Sequence, residues 1–258
     1  MRINPKNIMF NGGAYSGAME HFGHINALID FNVASKETAF YGNSAGALFA
    51  TLSFLYVNNR ISRDDIRETQ HAFLESMRTC RITDTTEFLF INIKRLKGFC
   101  YKDLYLDARD KIVIGITTRD GFKWVRKYKS NYHFFKTLVY SCNLSCMSCF
   151  SHKHLDGYYG YNAFRDLPTN TLISRTTYYP PLCFIPFTDE RIIAFLYNKG
   201  YLNQSAAITE YWQNGMERLV DTPPMNYGLL FSLHDTHAQT EPKWKSKLKR
   251  WFKHNSGR

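Results

Sequence analysis

Five residues constrain this chain more than any others: Gly42-Asn43-Ser44-Ala45-Gly46. Apolar and aromatic residues run up to Gly42, and Ala47-Leu48-Phe49-Ala50-Thr51-Leu52 follows, small and apolar at helical spacing. The pattern predicts a strand, a sharp turn and a helix, the context in which Gly-x-Ser-x-Gly carries chemistry. A serine at such a turn stands on strained backbone where neighbouring side chains would block it, and Gly42 and Gly46 remove that bulk. The helix N-terminus beneath offers unpaired N–H groups and the positive end of the helix dipole. The same residues also describe a glycine-punctuated turn with an idle serine. The upstream sequence decides how the two readings are weighed.

Upstream, Asn7-Ile8-Met9-Phe10 reads as a buried strand and Asn11-Gly12-Gly13-Ala14-Tyr15-Ser16-Gly17 as a glycine-rich turn. Ala18 to Phe31 then carries helical spacing through Phe22, Ile25, Leu28 and Ile29. Strand, glycine turn and helix together cradle an anion on backbone N–H groups. A dinucleotide fingerprint is disfavoured, because its third glycine is misplaced and no acidic ribose ligand follows a second strand. Gly-x-Ser-x-Gly follows instead. A glycine turn supplying oxyanion donors and a second turn supplying a nucleophile suit acyl transfer.

The three stretches Gly12 to Gly17, Gly23-His24-Ile25-Asn26-Ala27-Leu28 and Gly42 to Leu48 resemble the patatin-like phospholipase family. That family has a Gly-Gly-Gly-x-(Lys/Arg)-Gly oxyanion loop and, roughly thirty residues later, a Gly-x-Ser-x-Gly elbow. Here Ala14 stands at the third glycine and Ser16 at the basic position, and the step from Gly17 to Gly23 is one residue longer. The resemblance spans roughly residues 7 to 213 and is specific at the elbow. It implies an α/β fold with a mainly parallel central sheet and helices on both faces. It also implies a Ser–Asp dyad acting on fatty-acyl esters, with Ser44 as nucleophile and the N–H groups around Gly12, Gly13 and Ala14 as oxyanion donors. No metal or cofactor is needed for that chemistry.

The family's catalytic aspartate lies in an Asp-Gly-(Gly/Ala) motif, and Asp156-Gly157 is the best match, with Tyr158 in the third place. A carboxylate within hydrogen-bond reach accepts the serine proton. A competing register aligns Arg165-Asp166-Leu167-Pro168 with a later family element; it puts Gly160 at the acid position and leaves Asp156 in a hairpin. The plain structural alternative is an Asp-Gly turn between strands.

Between elbow and acid the sequence predicts helices over Ser62 to Arg78, with Ser62 and Asp65 as a capping pair, and over Thr85 to Lys97. Ile112 to Thr118 reads as a strand, turned by Arg119-Asp120-Gly121 into Phe122 to Val125. Cys142, Cys146 and Cys149 have the Cys-x3-Cys-x2-Cys spacing of iron–sulfur radical enzymes, with His152 and His154 beyond. Too little chain follows to complete that class of barrel. Zinc is the more credible metal, and free structural thiols are favoured over either. Beyond the acid, Thr171 to Arg175 reads as a strand and Tyr178-Tyr179-Pro180-Pro181 as a loop. Thr188 to Tyr197 reads as a helix, and Gly200-Tyr201 followed by Ala206 to Trp212 resembles the family's closing helix after a Gly-Tyr step.

No secretory pattern and no apolar run of transmembrane length is visible, so the expectation is a cytoplasmic chain that meets membranes peripherally. Its net charge of +11 favours an anionic partner. Residues 1–224 read as the hydrolase domain and 225–258 as an extension. Within it, Trp244, Leu248, Trp251 and Phe252 fall on one helical face among lysines and Arg250. Such a basic, tryptophan-bearing segment, residues 243–254, predicts binding to an anionic membrane surface, where a lipid or phospholipid substrate resides. A solvated tail, or one docked on the domain, is the alternative. Nucleic acid ranks last, since no other stretch forms a phosphate-tracking pattern. Two rival functions remain open. One is an α/β-hydrolase esterase with Ser44, Asp156 and His234 or His237 as a triad. The other is a catalytically inactive lipid-binding protein.

Overall fold

The first two strands are short and apolar, and each ends in glycine-bearing turns that free its C-terminal edge. In the computed structural model, which describes residues 4–79, 85–143, 154–157, 166–177 and 188–214, β1 (Asn7–Phe10) leads into α1 (Ala14–Asp30). β2 (Ala39–Asn43) then leads into α2 (Ala45–Val57). β1 and β2 pair in parallel, Ile8 opposite Phe40 and Phe10 opposite Gly42. Three further helices, α3 (Arg63–Thr79), α4 (Thr85–Gly98) and the short α5 (Leu104–Asp107), precede β3 (Ile112–Thr118), which pairs in parallel with β2. β4 (Gly121–Val125) folds back antiparallel on β3. After α6 (Asn131–Ser141) come the two-residue β5 (His154–Leu155) and β6 (Thr171–Ser174), which lies parallel to β1. α7 (Glu190–Asn214) closes the described chain. The sheet order is β4-β3-β2-β1-β6, and the four strands from β3 to β6 in that order are parallel. The α/β class and the mainly parallel sheet are as the sequence predicts.

The chain lays down β1, β2 and β3 in one direction across the sheet. Right-handed crossovers then bring α1 and α2 to the same face. That face carries Ile8, Phe10, Phe40, Ile112, Ile114 and Leu172, and the buried apolar side chains of the described helices join them in one cluster. On the opposite face Met9, Tyr41, Val113 and Ile173 pack with Leu167, flanked by Trp124. No helix residue belongs to this second cluster among the described residues, so helices on both faces are an expectation met on one. α2 contains no charged residue, and every residue from Ala45 to Leu55 is buried. It is the core's central rod, as befits a helix apolar all round.

Two local differences from the sequence reading have clear causes. The segments on either side of Gly200 form one continuous helix, not two. Gly200 does not break it. A Cβ there would lie 2.1 Å from the Glu20 carbonyl oxygen, and one at Gly23 would lie 2.2 Å from that of Tyr197. These glycines let α7 press onto α1. The second difference is α6, an element beyond those the sequence predicts. Ser130 caps it, its Oγ accepting from His133 N–H at 3.2 Å, and Phe134, Phe135, Leu138 and Val139 supply its buried face. By contrast, the Ser62–Asp65 pair is reciprocal as expected: Ser62 N–H donates to Asp65 Oδ2 at 2.7 Å, and Asp65 N–H donates to Ser62 Oγ at 3.1 Å.

Candidate active site

Ser44 sits between β2 and α2 at φ 53°, ψ −133°, a left-handed backbone that costs a non-glycine residue about 1–3 kcal/mol. The two elbow glycines answer to backbone, which cannot yield. A Cβ on Gly42 would lie 2.4 Å from the Gly46 carbonyl oxygen. One on Gly46 would lie 2.1 Å from the Phe10 oxygen and 2.5 Å from that of Asn11. The elbow therefore rests directly on the residues that open the glycine loop.

At that loop Gly13 precedes α1, and Ala14, at φ 47°, begins it. The Gly12 N–H is engaged, donating to Asn11 Oδ1 at 2.9 Å. Those of Gly13 and Ala14 donate to no acceptor among the described residues. They lie at the positive end of a 17-residue helix. Thr176, just beyond β6, pins the loop by donating to the Gly12 carbonyl, and a Cβ on Gly13 would lie 2.7 Å from the Thr176 Oγ1. Thr176 carried no signal in the sequence, because its role depends on β6 lying beside β1.

The acid arrives from the opposite direction. β4 occupies the outer edge of β3, so β5 pairs on the side where β2 has just ended: Thr117 faces Leu155 and Thr118 faces His154, antiparallel. β5 thus runs head-on toward the C-terminal end of β2, and the residue after it is Asp156. Its Oδ2 accepts a hydrogen bond from Ser44 Oγ at 2.8 Å, and its side chain is fully buried. Thr117 Oγ1 donates to the Asp156 carbonyl at 3.0 Å, and Asn43 Nδ2 donates to that of Gly157 at 3.3 Å. A Cβ on Gly157 would lie 2.2 Å from the Gly115 oxygen, which explains why glycine follows the acid. Gly160, at the acid position of the competing register, lies outside the described residues, as do His234, His237, Cys146, Cys149 and residues 243–254.

Beneath the loop, His21 and His24 are buried together, their Nδ1 atoms 2.9 Å apart. His21 Nε2 donates to the Asn11 carbonyl, which leaves its Nδ1 to accept from His24. Burial lowers His21 to about 4, and burial together with its partner holds His24 well below the ordinary range. Both are neutral scaffold. Glu20, fully buried on the same helix, accepts from Thr177 N–H with both carboxylate oxygens, at 3.2 and 3.1 Å, and burial raises it to about 7. Cys142, close to Asp156, is a free thiol that burial and then the Asp156 charge hold well above the ordinary range, so it remains protonated. No group of three metal-ligating side chains occurs among the described residues.

A hydroxyl on strained backbone is thus hydrogen-bonded directly to a buried carboxylate, and the N–H groups at the start of α1 have no acceptor among the described residues; such an arrangement is capable of attack on an acyl carbon. Comparisons of the chain with protein-family models, with curated proteins and with solved structures find no match.

Proposed function

We propose that the chain is a lipid acyl hydrolase of the phospholipase A type, working through a Ser44–Asp156 dyad. The 2.8 Å hydrogen bond from Ser44 Oγ to Asp156 Oδ2 carries this reading. In the first half-reaction Asp156 takes the Ser44 proton as Oγ attacks the ester carbonyl carbon. The carbonyl oxygen becomes an oxyanion, held by the N–H groups of Gly13 and Ala14. Collapse breaks the bond to the alcohol oxygen, which leaves with the proton from Asp156. Water then gives a proton to Asp156 and attacks the acyl-serine, and the fatty acid departs as Oγ recovers its proton.

A dyad is favoured over a triad because the carboxylate itself accepts from Ser44, where a triad would interpose an imidazole. The lipid substrate is inferred from the resemblance to patatin-like phospholipases. It is also inferred from the basic, tryptophan-bearing residues 243–254, which suit peripheral attachment to an anionic membrane. Among the described residues no helix is long and apolar enough to cross a membrane. The test is release of fatty acid from mixed phosphatidylcholine–phosphatidylglycerol vesicles. Wild type should release it and Ser44→Ala should not. Equal release by both, or none by a folded wild type, would reject the proposal.

A further inference from the structure

We propose that Ser141 and Asn143, which flank Cys142 at the C-terminal end of α6, are positioning residues that together set the distance between Ser44 and Asp156. Their role in turnover rests on the hydrolase reading; their role in geometry does not.

Ser141 is fully buried and uses its hydroxyl twice. Its Oγ accepts from the Ser44 N–H at 2.9 Å and donates to the Gly115 carbonyl at 2.6 Å. One hydroxyl thereby fastens the strained elbow to β3. Asn143, also fully buried, holds the acid from two directions. Its carbonyl accepts from the Asp156 N–H at 2.9 Å, and its Nδ2 donates to the His154 carbonyl at 2.6 Å. The His154 ring stacks on Tyr140 of α6, centroids 4.0 Å apart and planes 8° from parallel. Nucleophile and base thus hang from a single four-residue segment.

Ordinary helix chemistry does not produce this arrangement. Thr51, Thr137 and Ser205 return their hydroxyls to the carbonyl four residues back, and Asn26 and Asn58 do the same with their amides. Ser141 and Asn143 reach instead across 97 and 11 positions, to the two chain segments that must meet. These ties add to those that Asn43 makes to the Gly157 carbonyl and Thr117 of β3 makes to the Asp156 carbonyl. An ångström of drift between reacting groups costs on the order of a hundredfold in rate.

The experiment compares wild type with Ser141→Ala, Asn143→Ala and the double variant on p-nitrophenyl butyrate, with a crystal structure of Ser141→Ala. Each single variant should lose roughly tenfold to a hundredfold in kcat with KM within about twofold of wild type. The double variant should lose far less than the product of the two, since both act through one distance. In the crystal, the Ser44 Oγ to Asp156 Oδ2 separation should lengthen beyond hydrogen-bonding range. If Ser141→Ala does not fold, Ser141→Cys, a weaker donor and acceptor of similar size, carries the same expectations. Unchanged kcat, or multiplicative losses, would overturn the proposal. A wild type with no esterase activity would defeat the hydrolase reading alone. The Ser44–Asp156 separation in the variant would then decide positioning: lengthened supports it, unchanged overturns it.

Discussion

Ser44 and Asp156 are 112 positions apart and meet through one buried hydrogen bond, because β5 enters the lane that β2 vacates alongside β3. The glycines around that meeting point leave backbone against backbone.

Replacing Asp156 by Asn keeps the shape of the side chain and removes its basicity. Turnover should fall by roughly a hundredfold or more, since general-base help is typically worth about 10²–10⁴. Steady-state kinetics on a soluble ester checks this, with circular dichroism to establish that the fold is retained. Normal turnover would move the base elsewhere.

Glycine substitutions should separate sharply by site. Gly46→Ala puts a methyl 2.1 Å from the Phe10 oxygen, so it should destabilise by about 1–3 kcal/mol or more. Gly98→Ala, at the end of α4, meets nothing within 4 Å. It should be neutral or stabilise by about 0.5 kcal/mol through the unfolded chain. Urea titrations of both variants test the contrast, and equal effects would contradict the elbow geometry.

The strand–elbow–helix unit and the glycine turn were legible because their signals are local: apolar runs, glycines at fixed offsets, a capping serine. Asp156 was legible as one of several readings, since Asp-Gly also marks an ordinary turn, and only the β5 pairing puts it at Ser44. Ser141 and Asn143 carry no local signal of their own. Their partners are set by where α6 ends, and the local signals of α6 itself are the Ser130 cap and its buried phenylalanines. The continuity of α7 through Gly200 is not legible locally, because helix breaking and close helix packing use the same residue. Thr176 and the Glu20 clamp depend wholly on neighbours brought together by the sheet.

Stability should depend on pH in two opposed ways. Burial holds His21 at about 4, against 6.5 for a free imidazole, so the unfolded chain takes up a proton that the native chain refuses. Its contribution is complete above about pH 6.5 and is lost as pH falls toward 4, by on the order of 3 kcal/mol, with His24 acting in the same sense. Glu20, raised to about 7 from 4.5, does the reverse. Its native state keeps a proton that the unfolded chain releases, so stability is present below pH 4.5 and lost as pH rises toward 7. Glu20→Gln should therefore match wild type at pH 4.5 and exceed it at pH 8 by on the order of 1–3 kcal/mol. Denaturant midpoints at the two pH values test this, and no gain at pH 8 would contradict it.

Deleting the chain after Glu241 removes the basic, tryptophan-bearing segment. Binding to phosphatidylglycerol vesicles should weaken and lose salt sensitivity, while hydrolysis of a small soluble ester is unchanged. Vesicle sedimentation at low and high salt measures it. Equal binding with and without the segment would place the membrane contact elsewhere.

The central claim is that Ser44 is an activated nucleophile, and covalent labelling tests it most directly. A fluorophosphonate probe incubated with the folded chain should form one adduct, located by peptide mass spectrometry at Ser44. Ser44→Ala should abolish it and Asp156→Asn should slow it by about a hundredfold. Labelling of Ser44→Ala at the wild-type rate, or a folded wild type that takes up no probe, would contradict the account.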